Sequence, residues 1–206
     1  MPTLLQIDSS LFSANGQSSR LAAQFVAGWQ RRLPHGRVVR RDLAADPLPH
    51  LSADRFQAFI TPAEQRDAAQ REAVAVSDTL IGELRAADVL VIGLPMYNFG
   101  LPSTLKAWFD HIARAGITFK YTENGSVGLL TGKQAYVFAA RGGLYAGTPA
   151  DTQTAYVRDF LRFLGITDVE FVYAEGLATG EAARDAALSA ARERIGALTA
   201  ETLAAA

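Results

Sequence analysis

Short runs of branched and apolar residues divide the chain and predict its strands. Four of them cover residues 3–7, 88–94, 134–140 and 168–174, and a more polar run at 37–43 predicts a fifth strand. Near-continuous apolarity over such short runs is typical of strands covered on both faces, as in a parallel sheet. The pattern therefore favours a sheet buried between two layers of helices.

Helical periodicity occupies the intervals between the strands. An apolar residue recurs about every four positions in residues 21–33 and again in 101–112, and an alanine-rich tail from about Gly180 predicts the last helix. Strands that alternate with helices in this order predict an α/β fold, in which a doubly wound five-stranded parallel sheet carries helices on both faces. Residues 1–206 are predicted to form a single domain.

Polar capping residues next to a proline predict where two further helices begin. Thr61 with Pro62 and Glu64 has the form of a capping box before a long helix. Residues 148–151 repeat the device before a helix that ends at Gly165.

Two segments interrupt the alternation. Residues 44–60 are predicted to form a long connection with two prolines, and residues 117–131 an inserted hairpin that turns at Asn124-Gly125. Long connections in compact domains are usually functional or flexible, so both segments are candidates to shape a site.

Composition narrows the function classes. A formal net charge of −1 gives no overall field that would attract nucleic acid or an anionic membrane. The absence of cysteine excludes disulfides, thiol nucleophiles and zinc–thiolate sites, and the three histidines form no cluster, so no metal site is expected. The amino-terminal residues do not have the pattern of a signal peptide, and no apolar run approaches the ~20 residues that span a bilayer. A cytoplasmic protein is expected.

Hydroxyl and amide side chains crowd the segment after the first strand. Ser10, Gly16 and Gln17 precede a helix predicted to start at about Ser18. Free N–H groups at a helix start bind anions, so this loop predicts a phosphate site; the alternative is a capped, serine-rich turn without a ligand. The glycine fingerprints of dinucleotide sites and phosphate loops are both absent.

The loops after the third and fourth of the five predicted strands differ in chemistry. Residues 96–99, Met-Tyr-Asn-Phe, combine soft and aromatic surface with one amide, which suits a ring with an apolar and a polar edge; alternatively this loop closes the end of the core. Residues 140–143, Ala-Arg-Gly-Gly, would let backbone amides approach a flat ligand, or would form an ordinary tight turn. Ligands of parallel sheets bind at the carboxyl ends of the strands, so the three loops together would surround a flavin mononucleotide.

The chain resembles a known family in these same places. The segments "PMYNF", "LPSTLKAWFDHIARAGITFKYTENG", "ARGG" and "FLGITDVEFVYAEG" are similar to the bacterial FMN-dependent NADH-azoreductases, which belong to the NAD(P)H:quinone oxidoreductases of flavodoxin-like fold. The resemblance implies one FMN per subunit and a homodimer with the flavin at the interface. It also implies ping-pong hydride transfer from NADH or NADPH, through flavin N5, to a small quinone or azo acceptor.

The resemblance further implies roles for individual residues. The cofactor-binding residues would be Ser10, Gly16, Gln17, Ser18, Met96, Tyr97, Asn98, Phe99, Ala140, Arg141, Gly142 and Gly143. The first four of them would hold the phosphate, the next four would line the isoalloxazine, and the last four would meet its pyrimidine edge.

Catalytic and substrate roles follow from the same resemblance. The catalytic residues would be Asn98, Gly142, Gly143 and Tyr145, the last of which stands where some relatives have histidine. The residues lining the substrate would be Phe99, Tyr121 and Phe163.

Two residues of the third apolar helix carry separate expectations. Trp108 is expected to give the dimer an apolar contact, and His111 is expected to be a packing or interface residue rather than an acid.

Two other function classes fit the same fold. An electron-carrier flavodoxin would exchange single electrons with protein partners, and a non-catalytic interaction protein would use the fold without flavin. Carriers tend to be shorter and strongly acidic, whereas this chain is nearly neutral and has an inserted hairpin. The oxidoreductase is therefore the favoured prediction.

Overall fold

A computed structural model describes residues 1–201. Its strands are β1 Thr3–Asp8, β2 Arg37–Asp42, β3 Val89–Pro95, β4 Phe119–Thr122, β5 Gly125–Gly128, β6 Gln134–Ala140 and β7 Asp168–Ala174. Its α-helices are α1 Gln17–Arg32, α2 Ala53–Ile60, α3 Ala68–Ala86, α4 Ser103–Ile112, α5 Thr154–Leu164 and α6 Glu181–Glu201.

Five strands form one parallel sheet in the order β2-β1-β3-β6-β7. The strand order reverses between β1 and β3, because β2 lies on one side of β1 and all later strands of the sheet lie on the other. Open α/β sheets bind ligands at such a switch point. The register brings the carboxyl ends to one edge, because Asp8 lies opposite Gly93, and Pro95 lies opposite Ala140. The predicted doubly wound sheet is confirmed.

Each face of the sheet has its own core. Leu4 packs with Phe25 and the apolar face of α6 on one side, while Leu5 packs with Trp108 and other residues of α3, α4 and α5 on the other. Consecutive residues of β1 therefore serve opposite cores, which is why the strand reads as continuously apolar.

The hairpin of β4 and β5 is a separate two-stranded antiparallel sheet. Thr122 pairs with Gly125, so the turn consists of residues 123–124, one position before the predicted turn. The ring of Phe119 lies 4.2 Å from that of Phe163 at the end of α5, which fastens the hairpin to the main body.

The predicted starts of two helices are wrong. The long helix begins at α3, not at Thr61: the Asp67 carboxylate accepts from the Gln70 amide at 2.8 Å, and the Gln70 side chain completes the capping box. The later helix begins at Thr154 rather than within residues 148–151. A short 3₁₀ turn, Ala63–Gln65, follows a bend at Thr61 instead.

The 44–60 connection contains a helix that the sequence did not predict. α2 is capped by Ser52, whose Oγ accepts from the Arg55 amide at 3.3 Å. His111 is fully buried, and its Nε2 lies 3.0 Å from the carbonyl of Pro49, which confirms its packing role. Trp108 is also fully buried, so the expectation that it gives a dimer contact is wrong.

No helix within residues 1–201 combines the length and the apolarity that crossing a membrane requires. No three His, Asp or Glu side chains in that range are grouped closely enough to hold a metal ion.

Candidate active site

The first turn of α1 has the features of an anion site. Gly16 provides no side-chain cap, the first turn contains no acidic residue, and the first helical bond runs from the Arg20 amide to the Gly16 carbonyl at 2.9 Å. The preceding N–H groups therefore have no helical partner. Ser18 and Ser19 are buried, and within residues 1–201 their hydroxyls have no hydrogen-bond partner. Such orphaned donors fit a phosphate better than a closed, ligand-free turn.

The loop before α1 is tightly packed against the site. A Cβ on Gly16 would lie 2.0 Å from Ser10 Oγ, so only glycine fits there. Ser10 Oγ lies 3.3 Å from the hydroxyl of Tyr97, which also accepts from the Leu11 amide at 3.2 Å. These contacts join the first loop to the loop after β3.

The negative charge nearest to this loop is compensated. Asp8, at the end of β1, is fully buried, and its carboxylate accepts from Arg40 Nε at 2.7 Å and from Gln6 Nε2 at 3.0 Å. Burial raises the pKa of Asp8, although the hydrogen bonds from Gln6 and Arg40 act against the rise.

The loop after β3 forms a two-residue turn. Tyr97 and Gly100 exchange backbone hydrogen bonds of 3.1 and 2.9 Å, so that Asn98 and Phe99 form the corner with φ of 50° and 63°. Left-handed Asn is common, whereas left-handed Phe is uncommon. The Phe99 side chain is 56% exposed, and its ring meets that of Tyr145 edge-on at 5.6 Å. The turn thus presents an aromatic face and an amide side by side.

The diglycine loop offers backbone donors. The carbonyls of Gly142 and Gly143 accept from the amides of Ala178 and Gly176 at 3.0 and 2.9 Å. Their own N–H groups have no hydrogen-bond partner within the described chain. The Met96 amide donates to the Ala140 carbonyl at 3.1 Å, which sets this loop beside the turn.

The charge of Arg141 is turned into the protein rather than toward the loop surface. Its side chain is fully buried and donates to Gln153, Asp151 and Glu175 at 3.1, 2.9 and 3.0 Å. Its guanidinium also lies 5.1 Å over the ring of Tyr173. The protein neutralises this charge internally, which leaves the glycine N–H groups as the donors that the loop has available.

Sequence reasoning missed two groups of residues at the site. Gln153 and Glu175 are separated from the three loops along the chain, and no short motif marks them. Leu11, Phe12 and Leu144 lie within the loops and are 63%, 69% and 71% exposed. Their apolar character at strand ends was the available signal for an apolar rim.

Tyr121 and Phe163 lie away from the three loops. Tyr121 is on the hairpin and 74% exposed, and Phe163 is half-buried at the end of α5. Both segments lead into the amino ends of strands, β6 and β7, whereas the loops follow the carboxyl ends. Within one chain, these two side chains therefore do not face the site.

The fold defines a protein of the flavodoxin-like class, and the three loops form its candidate site at the switch point. Residues 2–198 match the family described as flavodoxin-like fold. A relative from Cellvibrio japonicus named "FMN-dependent NADH:quinone oxidoreductase" is 58% identical over 195 residues, covering 95% of this chain and 97% of the relative.

Solved structures agree. An azoreductase from Bacillus anthracis str. Sterne superposes with a TM-score of 0.89 at 30% identity, covering 97% of this chain and 99% of that one. An FMN-dependent NADH-azoreductase from Bacillus anthracis str. Ames Ancestor, solved in complex with FMN, has a TM-score of 0.85 at 26% identity and covers 97% and 100%. The chain belongs to the FMN-dependent NADH:quinone oxidoreductase and azoreductase family, as its resemblance predicted.

Proposed function

We propose that this protein binds FMN and transfers hydride from NADH to quinones and azo compounds in a ping-pong sequence. The observation that carries the proposal is the meeting of three loops, each with a different chemistry, at one edge of the sheet. When bound, FMN supplies the two-electron hydride chemistry, in which N5 of its ring accepts the hydride and donates it again. The names of the relatives, which include NADH and quinone, support this reductant and this acceptor class.

The phosphate would be held at the start of α1. Gln17 and Ser18 bring backbone N–H groups without a helical partner, and Ser18 adds a buried hydroxyl without a partner in the described chain. Gly16, whose own N–H donates to the Ser13 carbonyl at 3.2 Å, would contribute by letting Ser10 pack close to the helix start. Ser10 would complete the cradle from the first loop. No acidic residue stands in the first turn of the helix, so the helix dipole acts on the anion unopposed.

The ring would be held between the turn and the diglycine loop. Met96 and Tyr97 would line it, with Phe99 against its face and the Asn98 amide directed toward N5. The free N–H groups of Gly142 and Gly143 would donate to the pyrimidine edge, where they stabilise negative charge as it develops. Tyr145, in edge contact with Phe99, would complete the polar side of the site.

The outer face of the ring would be closed by a second copy of the chain. Tyr121 and Phe163 lie toward the amino ends of the strands, whereas the loops of their own chain lie at the carboxyl ends. Only a partner could therefore bring these side chains over the site. We propose a homodimer with the flavin at its interface, in which these aromatic side chains stack on the nicotinamide and then on the acceptor.

Anaerobic stopped-flow absorbance tests the proposed function. Protein reconstituted with FMN should lose its flavin absorbance when it is mixed with NADH and regain it when it is mixed with a quinone. Initial rates with both substrates varied should give parallel double-reciprocal lines. Protein that does not bind FMN, or bound FMN that NADH leaves oxidised, would contradict the proposal.

A further inference from the structure

The turn at Asn98 and Phe99 is held from outside by the residues that precede α5. Gln153 is fully buried, and its Nε2 donates to the carbonyls of Pro95 and Gly100 at 2.9 and 3.1 Å. The neighbouring Thr152 hydroxyl donates to the carbonyl of Phe99. One short segment therefore binds the loop before, within and after its corner.

Arg141 fixes the orientation of the Gln153 amide. Arg141 Nε donates to Gln153 Oε1 at 3.1 Å. A guanidinium only donates and backbone carbonyls only accept, so a flipped amide would lose every one of these bonds. Gln153 thus joins a donor in the diglycine loop to acceptors in the turn, and no other orientation serves both.

Arg141 and its partners Gln153, Asp151 and Glu175 form a hydrogen-bonded group, the Arg141 cluster, which extends through the diglycine loop. Glu175 accepts from Arg141 at 3.0 Å and from the amides of Tyr145 and Ala146 at 3.1 and 3.0 Å. Burial acts to raise the pKa of Asp151, but the hydrogen bonds from Arg141 and Thr154 outweigh it and leave the pKa below its usual range. Asp151 therefore stays ionised at neutral pH beside Arg141.

We infer that Gln153 is a positioning residue that couples the Asn98–Phe99 turn to the diglycine loop, so that both present one preformed surface to a flat ligand. A left-handed Phe persists only where its surroundings over-determine the backbone, and the three bonds from Thr152 and Gln153 provide that restraint. The identity of the ligand as a flavin rests on the proposed function; the coupling of the two loops does not.

Gln153→Glu keeps the side-chain shape, so it tests the bonds to the turn separately from the bond to Arg141. Glutamate still accepts from Arg141, but its second oxygen cannot donate and would face the carbonyls of Pro95 and Gly100. In the FMN-free full-length protein, hydrogen exchange at the Tyr97 and Gly100 amides should become about tenfold faster, because the turn loses two restraining bonds.

Two further variants keep the test decisive. Ser77→Ala removes a buried bond of 2.5 Å to the His111 carbonyl, far from the loops, and should lower the melting temperature without changing exchange at Tyr97 or Gly100. Thr152→Val, at an exposed position, removes only the bond to Phe99 and should speed exchange at Gly100 several-fold. If Gln153→Glu does not fold, Gln153→Met, an uncharged side chain of similar length that makes none of the three bonds, decides the question through the same exchange rates.

Flavin titration separates this inference from the proposed function. Gln153→Glu should raise the Kd for FMN and for riboflavin by the same factor, about tenfold, because it leaves the phosphate cradle untouched. Wild-type exchange rates at Tyr97 and Gly100 in the variants would overturn the inference, even if FMN binds. Faster exchange in a protein that binds no flavin would leave the coupling standing and overturn the proposed function.

Discussion

At the scale of single residues, the candidate site is marked by polar groups that have no hydrogen-bond partner within residues 1–201. A buried hydroxyl that lacks a hydrogen bond lowers stability, and natural proteins contain few of them. Ser18 and Ser19 are two such residues, and they are adjacent at the uncapped start of α1. A ligand that satisfies them recovers their lost hydrogen bonds.

Ser18→Ala tests this interpretation. The Kd for FMN should rise about ten- to a hundredfold, because a hydrogen bond to a charged phosphate is lost, while the Kd for riboflavin stays unchanged. The free protein should be as stable as wild type or more so. Fluorescence titration and thermal denaturation measure both quantities, with Ser126→Ala on the exposed hairpin as the control. An equal loss of affinity for both flavins would place the phosphate elsewhere.

Gly16 makes a second residue-scale prediction. With φ of −66° its backbone is ordinary, so only the 2.0 Å approach to Ser10 Oγ requires glycine. Gly16→Ala should displace Ser10, destabilise the fold by about 1–3 kcal/mol and weaken FMN binding. Gly82→Ala is the matched control: nothing lies within 4 Å of its Cβ, and it should stabilise α3 by about 0.5–1 kcal/mol. Urea denaturation compares the two; equal effects would rule out the steric explanation.

At the scale of elements, the connection between β2 and α3 is fastened by a few buried contacts. His111 holds the Pro49 carbonyl, and Phe59 of α2 packs edge-on against the His111 ring at 5.9 Å and under the Arg114 guanidinium. The connection is therefore anchored to α4 through a group that can titrate.

Acid should loosen this anchor. Burial lowers the pKa of His111, and the charge of Arg55 adds to that effect, while the Pro49 hydrogen bond and Asp110 oppose it. Since the folded pKa lies below the unfolded value of about 6.5, the unfolded state takes up the proton first. The contribution of His111 to stability is present above that value and is lost as the pH falls through the folded pKa.

Urea denaturation at pH 7.5 and at pH 5.5 measures this effect. The free energy of unfolding should fall more for wild type than for His111→Gln, which does not titrate in this range. Limited proteolysis within residues 44–60 should show the same difference. Equal pH dependence of the two proteins would show that His111 is not the titrating anchor.

The secondary-structure elements include both the most accurate and the least accurate predictions made from the sequence. The bounds of β6 and β7 were predicted to the residue, because apolar runs of that length are typical of buried strands in a parallel sheet. The start of α5 was misplaced because residues 148–153 carry helix-start signals but serve the Arg141 cluster instead. α2 was missed because two prolines before it resemble an irregular connection. Tertiary contacts decided in each case.

The candidate site divides in the same way. The three loops were predictable because their chemistry follows strand ends directly. The internal use of Arg141 was not, since its partners Asp151 and Glu175 are identified only by the folded arrangement. Local patterns indicate which residues reach the site, but not which charges the protein neutralises by itself.

At the scale of the whole molecule, the loops and the hairpin lie at opposite edges of the sheet. A two-fold pairing that lays the hairpin of one copy over the loops of the other would complete two sites at once. The exposed Tyr121 would then be buried only in the dimer.

A mixture of two impaired variants tests this pairing. Tyr121→Ala should raise the KM for a quinone several-fold and leave FMN binding unchanged, whereas Gly16→Ala, at an FMN concentration too low to saturate its weakened site, should stay largely without FMN. If the hairpin acts across the interface, random mixed dimers restore one complete site in half of the dimers, or about a quarter of wild-type activity. No recovery after subunit exchange, with dimers confirmed by light scattering, would show that Tyr121 serves its own chain.

The pairing of β1 with β3 has a consequence for how the protein is made. Leu4 lies beside Val89 of β3 in the sheet. At ~5–20 residues per second, β1 is therefore translated on the order of ten seconds before β3. Glu175, which holds the diglycine loop, is translated later still. A nascent chain therefore lacks the side chain that holds the diglycine loop until Glu175 has been translated, so the three loops would form one surface for a flat ligand only after that point.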